Sequence, residues 1–504
     1  MVHHVFARKG GCMAYLAAPM PPAPRQPQVP GRTYAHDNRT VVADGNAARA
    51  CTDDADCTAA AARRAAGSTS IPSLPYPASL YLCIDLKTFF ASVECAARGL
   101  NPFTTNLIVA DPTRGSGTIC LAVTPALKKL GVKNRCRVYE IPKDIHYIQV
   151  MPRMQEYVNA SARIYGIYQQ FCAPCDIHVY SIDECFIYIT PYLKRYNTTP
   201  EGFAHMLMRA VEQREHICAT VGIGPNLFLA KVAMDVIAKK NNSHIAYLNE
   251  ELFYQHMWHH RPLTDVWGIG PGIARRLKRY GIFNLQGIAH IKEDILYREF
   301  GTAAQTLINH AWGKDYCTIT DIKAYTPKEH SYSSGQVLMR DYSAQEALVV
   351  LKEMIYELYL RLIKQADTCS IVQLSIGYAR IRYNENERVS LAYVPQQSMQ
   401  RKLSASTNAR QQIETTLIEL WNKLIMPNAK VRRITITFGG IRPLAEVQPQ
   451  LFDATQHAIA DFSLGKTTVA IKEKFGKNAL IKGCSLLECA TATTRNNQIG
   501  GHHA

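Results

Sequence analysis

Two adjacent carboxylates interrupt an apolar stretch in the first half of the chain. Asp183 and Glu184 lie between two runs of β-branched and aromatic residues within 177–190, and such runs are typical of strands. Burying two neighbouring carboxylates without a partner is costly, and a bound divalent cation would remove that cost. An acidic turn on a solvated hairpin would explain the same pair, so this stretch alone leaves both interpretations open.

A second apolar run, upstream of the first, also reaches a carboxylate. It contains Asp85 near its end and is followed by Phe89 and Phe90 at the start of a helix-like segment. If the two strands pair, Asp85 converges with Asp183 and Glu184. Three oxygen ligands on adjacent strands predict a site for Mg²⁺, which accepts carboxylates together with substrate phosphates.

The overall charge of the chain favours a polyanionic partner. The 504 residues carry a formal net charge of +16, and their hydrophobic fraction of 47% is ample for several globular cores. Such a charge points to nucleic acid, although acidic lipid would attract it as well. The sequence has no apolar run of the ~18 residues that a membrane span needs, so we expect no membrane association.

The cysteines indicate a cytoplasmic protein. The 15 cysteines are scattered through apparent strands and helices, which is typical of reduced, buried thiols. Cys172 and Cys175 form a C-x-x-C pair with no second pair nearby, which gives little support to a zinc or redox site. The opening residues lack the apolar core of a secretory signal, and residues 1–78, rich in Ala, Pro, Arg and Thr, are predicted to form a disordered arm.

A glycine-rich segment further along has the pattern of a helix-hairpin-helix. Gly268 and Gly270 permit a tight turn whose backbone N–H groups can face a phosphate, and the following helix N-terminus adds positive potential. Arg275 and Arg276 follow on that helix. We therefore expect contact with a phosphate backbone, while an ordinary turn between packed helices is the alternative.

Taken together, the two acidic stretches resemble the Y-family of translesion DNA polymerases, the DinB and UmuC group. The matching pieces are Ile84–Glu94 and Tyr180–Glu184, which occur in the family's order. The resemblance runs from about Tyr81 to about Pro443. It implies an α+β multidomain fold shaped like a right hand, with a ferredoxin-like palm, small fingers, a helical thumb containing the helix-hairpin-helix, and an α/β little finger.

The composition of the arm and of the linker, together with the resemblance, indicates where these units lie. The expected bounds are 1–78 for the arm, 79–89 with 150–250 for the palm, 90–149 for the fingers, 251–318 for the thumb, 319–332 for a linker, 333–442 for the little finger, and 443–504 for a tail with a weakly helical end.

The implied chemistry is two-metal transfer of a deoxynucleotide to a primer 3′-hydroxyl. Asp85 and Asp183 would bridge two Mg²⁺ ions, and Glu184 would complete the site of the ion that activates the hydroxyl. The Leu86 carbonyl is a further ligand by resemblance. Low fidelity and lesion bypass follow from the resemblance alone.

Contacts to the incoming triphosphate are expected from lysines and an aromatic ring. Lys128 and Lys231 would hold the phosphates, although a solvated helix lysine is the alternative for Lys231. Pro125 stands where the family has a tyrosine, and Lys128 where it has an arginine, so the fingers lose a hydroxyl and a bidentate fork. Phe90 would be the steric gate against a 2′-hydroxyl, with Phe89 as the next candidate.

The tail contains a further short motif. Gln448, Leu451 and Phe452 resemble the bacterial sliding-clamp-binding pentapeptide, in which a glutamine is followed by Leu and Phe. The apolar pair would enter a pocket on the clamp, or would pack back on its own domain. The expected partners are therefore primer–template DNA, deoxynucleoside triphosphates and the clamp, bound by a protein that we expect to be monomeric.

Two other functions compete with a polymerase. A nucleotidyl cyclase shares the two-metal palm, but the predicted helix-hairpin-helix and the basic second domain argue against it. A non-catalytic DNA-binding relative is the other alternative, and the intact Asp85, Asp183 and Glu184 argue against that.

Overall fold

A computed structural model gives the structure of most of the chain beyond the N-terminal arm. The described residues are 77–327, 329–379, 381–385, 388–392, 395–447 and 456–503. The arm expected over 1–78, except its last two residues, and the pentapeptide Gln448–Phe452 lie outside the described residues. In the part that is described, no helix is long and apolar enough to cross a membrane.

The strands, in chain order, are β1 (Tyr81–Leu86), β2 (Leu107–Val109), β3 (Ala122–Val123), β4 (Ile148–Val150), β5 (Ile177–Val179), β6 (Glu184–Tyr188), β7 (Ala219–Gly224), β8 (Ile245–Tyr247), β9 (Tyr332–Tyr342), β10 (Asp367–Tyr378), β11 (Ile381–Glu385), β12 (Arg388–Ala392), β13 (Gln397–Thr407), β14 (Val431–Gly439), β15 (Arg442–Pro443), β16 (Gln498–Ile499) and β17 (His502–His503).

The α-helices are α1 (Phe89–Ala96), α2 (Pro125–Lys129), α3 (Met154–Tyr168), α4 (Thr190–Arg195), α5 (Pro200–Glu215), α6 (Leu227–Val232), α7 (Glu250–His256), α8 (Pro271–Lys278), α9 (Leu285–His290), α10 (Glu293–Phe300), α11 (Ala303–Ala311), α12 (Ile319–Ala324), α13 (Ala344–Gln365), α14 (Arg410–Leu424), α15 (Gln456–Phe475) and α16 (Ala492–Asn496). A π-helical segment, Ala233–Ala238, continues α6.

The palm is a sheet in the order β5-β6-β1-β7-β8, antiparallel except for the parallel pair β7–β8. Successive side chains of a strand point to opposite faces. Leu82 and Ile84 of β1 therefore belong to the core with α3 and α5, while Tyr81 and Cys83 pack with α6. Asp85 follows this alternation and lies on the α6 face.

A glycine lets α6 approach the sheet closely. A Cβ added to Gly222 of β7 would lie 2.1 Å from the carbonyl oxygen of Ala230 and 2.3 Å from the amide nitrogen of Met234. Because both atoms belong to the backbone, any larger residue would push the helix outward. The close approach brings the polar side chains of α6 and of the π-helical segment over the ends of β1 and β6.

The fingers and thumb flank this sheet. The fingers contain the small sheet β3-β2-β4 and the helix α2, packed around Ile108, Val123 and Leu127. The thumb contains α7 to α11 around a core that includes Leu277 and Leu296. The 319–332 stretch, expected to be a linker, begins instead with α12, whose N-terminus is closed by reciprocal hydrogen bonds between Thr318 and Asp321.

The little finger is a sheet in the order β13-β10-β14-β9 with α13 and α14 packed on one face. The tail, expected to be only weakly helical, contains the 20-residue helix α15. Its Phe462 and Val469 pack against Tyr359 and Ile363 of α13, so burial against α13 supplies the stability that the local sequence does not signal.

Candidate active site

The register of the palm sheet brings two of the predicted carboxylates together. Asp85 of β1 lies opposite Glu184 of β6 on one side and opposite Thr220 of β7 on the other. Directly opposed residues of antiparallel strands point to the same face, with Cβ atoms roughly 5 Å apart. The pairing expected from the sequence is therefore present for Asp85 and Glu184.

A third carboxylate joins this pair from the helix above. Oxygen atoms of Asp85, Glu184 and Asp235 lie within 4.8 Å of one another. Sequence reasoning missed Asp235, which lies in the π-helical segment. The available signal was its spacing of four residues from a lysine on each side, Lys231 and Lys239, in an otherwise apolar helix.

Two lysines connect the three carboxylates. Lys231 Nζ lies 3.0 Å from Glu184 Oε2 and 3.0 Å from Asp235 Oδ2. Lys239 Nζ lies 2.8 Å from Asp85 Oδ2 and 2.8 Å from Asp235 Oδ1. The Lys231 side chain is only 5% exposed, whereas that of Lys239 is 38% exposed, so Lys239 is the amine that a ligand can reach.

The electrostatics of this cluster favour an added cation. Burial, with a smaller contribution from neighbouring Asp85, raises the pKa of Glu184 to about 7, against the opposing effect of Lys231. Burial also disfavours charge on Lys239, yet Asp85 and Asp235 outweigh it and raise the pKa of that ammonium. Because burial is the larger cause, a cation beside Glu184 would offset the hydration that its ionised form loses.

The donor set fits a divalent metal ion. Carboxylate oxygens from two strands and a helix converge on one point, and hard oxygen donors are those that Mg²⁺ and related cations prefer. The side chain of Thr220, wholly buried opposite Asp85, has an oxygen without a hydrogen-bond partner. The site thus combines an excess of acceptors with an unsatisfied polar atom.

Asp183 lies in the hairpin turn rather than in the three-carboxylate group. Its Oδ1 accepts a hydrogen bond from Ser181 Oγ at 2.5 Å. Its backbone carbonyl accepts from the Leu86 amide at 2.9 Å, which fixes the turn at the end of β1. Asp183 and Leu86 are thus adjacent to the cluster, and their predicted role as metal ligands stays a prediction.

The two phenylalanines have different surroundings. Phe89 is 3% exposed and belongs to the palm core. Phe90 is only partly buried and stacks on Tyr157, with ring centroids 4.4 Å apart and an interplanar angle of 16°. The Tyr157 hydroxyl donates to Glu94 Oε1 at 2.8 Å, and Arg153 donates to both oxygens of that carboxylate at 3.0 and 2.9 Å.

Lys128 extends the positive charge of the site into the fingers. Burial lowers the pKa of Lys128, against the opposing electrostatic effect of Asp85. Pro125, which stands where the family has a tyrosine, is the first residue of α2.

The thumb turn has the expected backbone form. Gly268 has a φ of +87°, a conformation that glycine adopts readily, and Gly270 caps α8. Arg276 Nε pairs with Glu299 at 2.6 Å, whereas Arg275 is exposed. Of the two predicted phosphate ligands, Arg275 is thus the more accessible.

The thumb turn also contacts the hairpin between β5 and β6. The Trp267 indole nitrogen donates to the Tyr180 hydroxyl at 3.1 Å, and the two rings meet edge to face. Trp267 packs on Phe186 of β6 as well. The turn next to Asp183 is therefore braced by the segment that carries the thumb glycines.

Comparisons with known proteins point to one family. The model of the impB/mucB/samB family matches residues 84–235, and that of the impB/mucB/samB family C-terminal domain matches residues 329–451. The Bacillus subtilis (strain 168) UV-damage repair protein UvrX is 30% identical over 430 residues, 85% of this chain and 98% of that protein. DNA polymerase IV 2 of the same organism is 30% identical over 426 residues, 83% of this chain and 98% of that protein.

A solved structure supports the fold as well. A Y-family DNA polymerase chimera of Dbh and Dpo4 is 22% identical and covers 72% of this chain and 99% of its own, with a TM-score of 0.54. This likeness confirms the predicted multidomain α+β fold.

Proposed function

Because this chain belongs to the impB/mucB/samB family of Y-family DNA polymerases, we propose that Asp85, Asp183 and Glu184 form the site at which it adds deoxynucleotides to a primer. The chain is a DNA-directed DNA polymerase of the translesion type. The observation that carries the proposed site is the opposition of Asp85 and Glu184 across β1 and β6, within the matched residues 84–235.

Asp85, Asp183 and Glu184, with the Leu86 carbonyl, would hold two Mg²⁺ ions. When bound, such ions neutralise the triphosphate and lower the pKa of the primer 3′-hydroxyl. The palm sheet keeps Asp85 and Glu184 in place before any ligand arrives, because both belong to paired strands. Preorganised charge of this kind avoids reorganisation during the reaction.

The lysines would bind the triphosphate. Lys239 is the accessible amine at the carboxylates, and Lys128 approaches from the fingers, so these two are the better candidates for direct phosphate contact. Lys231 was expected in this role, but its side chain is 5% exposed and its amine is already paired with Glu184 and Asp235. Lys231 would therefore act on the phosphates through its positive charge at a distance and not by direct contact.

The sugar and the DNA would be held by other elements. The ring of Phe90 would lie under the sugar and leave no room for a 2′-hydroxyl. The thumb turn at Gly268 and Gly270, with Arg275, would bind the phosphate backbone of primer–template DNA, with support from Arg276.

The remaining partner assignments rest on the sequence. The motif formed by Gln448, Leu451 and Phe452 would bind a bacterial sliding clamp. We further propose that the protein works as a monomer in the cytoplasm.

Primer extension by the purified full chain, on intact and abasic templates with Mg²⁺, tests the function. We expect Asp183→Asn and Glu184→Gln to lose incorporation while DNA affinity stays within about twofold, since the thumb and little finger hold DNA. The exposed Glu250→Gln is a matched control that should extend normally. Near-normal extension by the Asp183 variant would contradict the proposed ligand set.

The same preparation separates the competing functions. A cyclase would make cyclic nucleotide from free triphosphate without a primer, and a DNA-binding relative would bind primer–template without extending it.

A further inference from the structure

Five charged side chains form a continuous row across the active site. In order they are Glu184, Lys231, Asp235, Lys239 and Asp85, joined by contacts of 3.0, 3.0, 2.8 and 2.8 Å. Asp235 is at the centre, with Oδ2 on one lysine and Oδ1 on the other. Both of its oxygens are thus engaged by ammonium groups.

The π-helical segment explains why both lysines reach the same carboxylate. A step of four residues in an α-helix overshoots one full turn by about 40°. Both steps run largely through wider π turns, because the step from Lys231 to Asp235 enters the π segment at Ala233 and the step from Asp235 to Lys239 follows it to Ala238. The wider turn rotates the chain less per residue and offsets the overshoot, so that Lys231 and Lys239 lie on the same side of the helix.

The outer members of the row are the carboxylates proposed to hold cations. When Asp85 and Glu184 serve as ligands, each gives up much of its attraction for its lysine. Asp235 is then the group that still holds both ammonium groups. Without it the half-exposed Lys239 would face the like charge of Lys231 and could move out into solvent.

We infer that Asp235 is a positioning residue for the incoming nucleotide: it holds the Lys239 ammonium at the edge of the carboxylate site, where the triphosphate arrives. The inference rests on the proposed function and deepens it. Asp235 acts through Lys239 and makes no contact with the reacting atoms. A direct role as a metal ligand is the competing assignment, and the experiment below separates the two.

The test measures nucleotide binding without chemistry. The full chain is bound to primer–template DNA with a dideoxy-terminated primer, and the Kd of the next correct deoxynucleoside triphosphate is measured at saturating Mg²⁺. We expect Asp235→Asn to raise this Kd about tenfold, since a charge-assisted contact is lost. Lys239→Gln should raise it by a similar factor.

A double-mutant cycle identifies the route of the effect. If Asp235 acts through Lys239, the variant with both substitutions should bind no more weakly than Lys239→Gln alone. Asp235→Glu, which keeps the charge, should recover most of the affinity. Asp341→Asn is the matched control. Asp341 is a carboxylate of the little finger that pairs with Arg432, and its substitution should leave the Kd unchanged.

Three outcomes would overturn the inference. The first is an unchanged Kd in Asp235→Asn. The second is a Kd for the double variant that is raised by the product of the two single-variant factors. The third is a higher Mg²⁺ requirement with normal nucleotide affinity at saturation, which would make Asp235 a metal ligand.

Thermal melting establishes that each variant is folded before binding is measured. Asp235→Ser, which also removes the charge, paired with Lys239→Gln gives the same cycle should Asp235→Asn not fold. Failure of the unsubstituted chain to extend primers would instead contradict the proposed function.

Discussion

The ring of Phe90 is held by its neighbours as well as by its own helix. It stacks on Tyr157, whose hydroxyl is fixed by the wholly buried carboxylate of Glu94. Burial raises the pKa of Glu94, but Arg153, Arg98 and Tyr157 outweigh burial and lower it, so the carboxylate stays ionised and keeps its partners. A ring fixed in this way can exclude a substituent with little cost in side-chain entropy.

Replacing Phe90 with Ala should therefore weaken the discrimination between sugars. We expect the ratio of ribonucleotide to deoxynucleotide incorporation to rise roughly tenfold or more, with a much smaller change for deoxynucleotides, because only the 2′-hydroxyl meets the ring. Single-nucleotide incorporation kinetics with each triphosphate would measure this ratio. Phe90→Tyr keeps the ring and serves as the control, and unchanged discrimination in Phe90→Ala would direct attention to Phe89.

Individual site residues were predictable only where the backbone pattern fixes them. The opposition of Asp85 and Glu184 follows from two strands whose apolar runs end in carboxylates. Asp235 could not be assigned in this way, because its place depends on a π turn and on the closeness of α6 to the sheet. Both are consequences of tertiary packing that the local sequence does not encode.

At the level of elements, the contact between β7 and α6 determines the geometry of the active site. The sequence predicts a strand and a turn over 219–224, and in the structure this whole stretch is the strand β7. The following helix was expected to run unbroken from Asn226 to Lys240, but it changes to a π turn after Val232. The sequence pattern did not predict the close packing of this helix on Gly222.

Gly222→Ala should disrupt this contact. The new methyl would lie within 2.3 Å of two backbone atoms of α6 and the π segment, so the helix must move, at a cost of about 3 kcal/mol. We expect a lower melting temperature and loss of primer extension together. Gly166→Ala in α3, where the added methyl meets nothing within 4 Å, should be neutral or stabilising.

The junction of palm and thumb should make the protein sensitive to acid. Burial lowers the pKa of His310 to about 4 from 6.5, and its ring stacks on Phe228 with centroids 4.0 Å apart. As the pH falls below 6.5 the unfolded chain takes up this proton first, so stability is lost between pH 6.5 and 4. The full effect is about 3 kcal/mol.

Urea unfolding at pH 7 and pH 5 would measure this loss. His310→Leu should lose about 2 kcal/mol less than the unsubstituted protein over that interval. Equal losses in the two proteins would show that other groups govern the acid response.

At the scale of the whole molecule, the order of units along the chain followed from the sequence more readily than the course of the tail. The helix-hairpin-helix turn, the acidic hairpin and the little-finger strands each have local signals. The helix α15 has only weak local signals in the sequence, and it is stabilised by contact with α13. The N-terminal arm and the pentapeptide lie outside the described residues, and their assignments stay predictions.

The pentapeptide can be tested by its effect on processivity. Replacing Leu451 and Phe452 with Ala should leave synthesis without a clamp unchanged and remove its stimulation by a bacterial sliding clamp, since tethering raises the local concentration of the enzyme at the primer. Extension on primed circular DNA with and without the loaded clamp measures both the clamp-free synthesis and its stimulation by the clamp. Normal stimulation of the double variant would show that the motif has another role.

In the part of the chain that the structure describes, the little finger connects to the rest of the molecule through the thumb and through the tail. The chain enters it from the thumb, and the tail is secured to it where the buried Glu353 accepts from the amides of Thr491 and Ala492 at 2.9 and 3.0 Å. The tail then reaches the fingers, where Arg114 Nη2 donates to the Gly501 carbonyl at 2.9 Å and β16 lies against α3. A body hinged at one point can swivel in any direction, whereas a body held at two separated points can only rock about the line between them. While the hairpin β16–β17 stays in place, we therefore expect the little finger to rock about one axis.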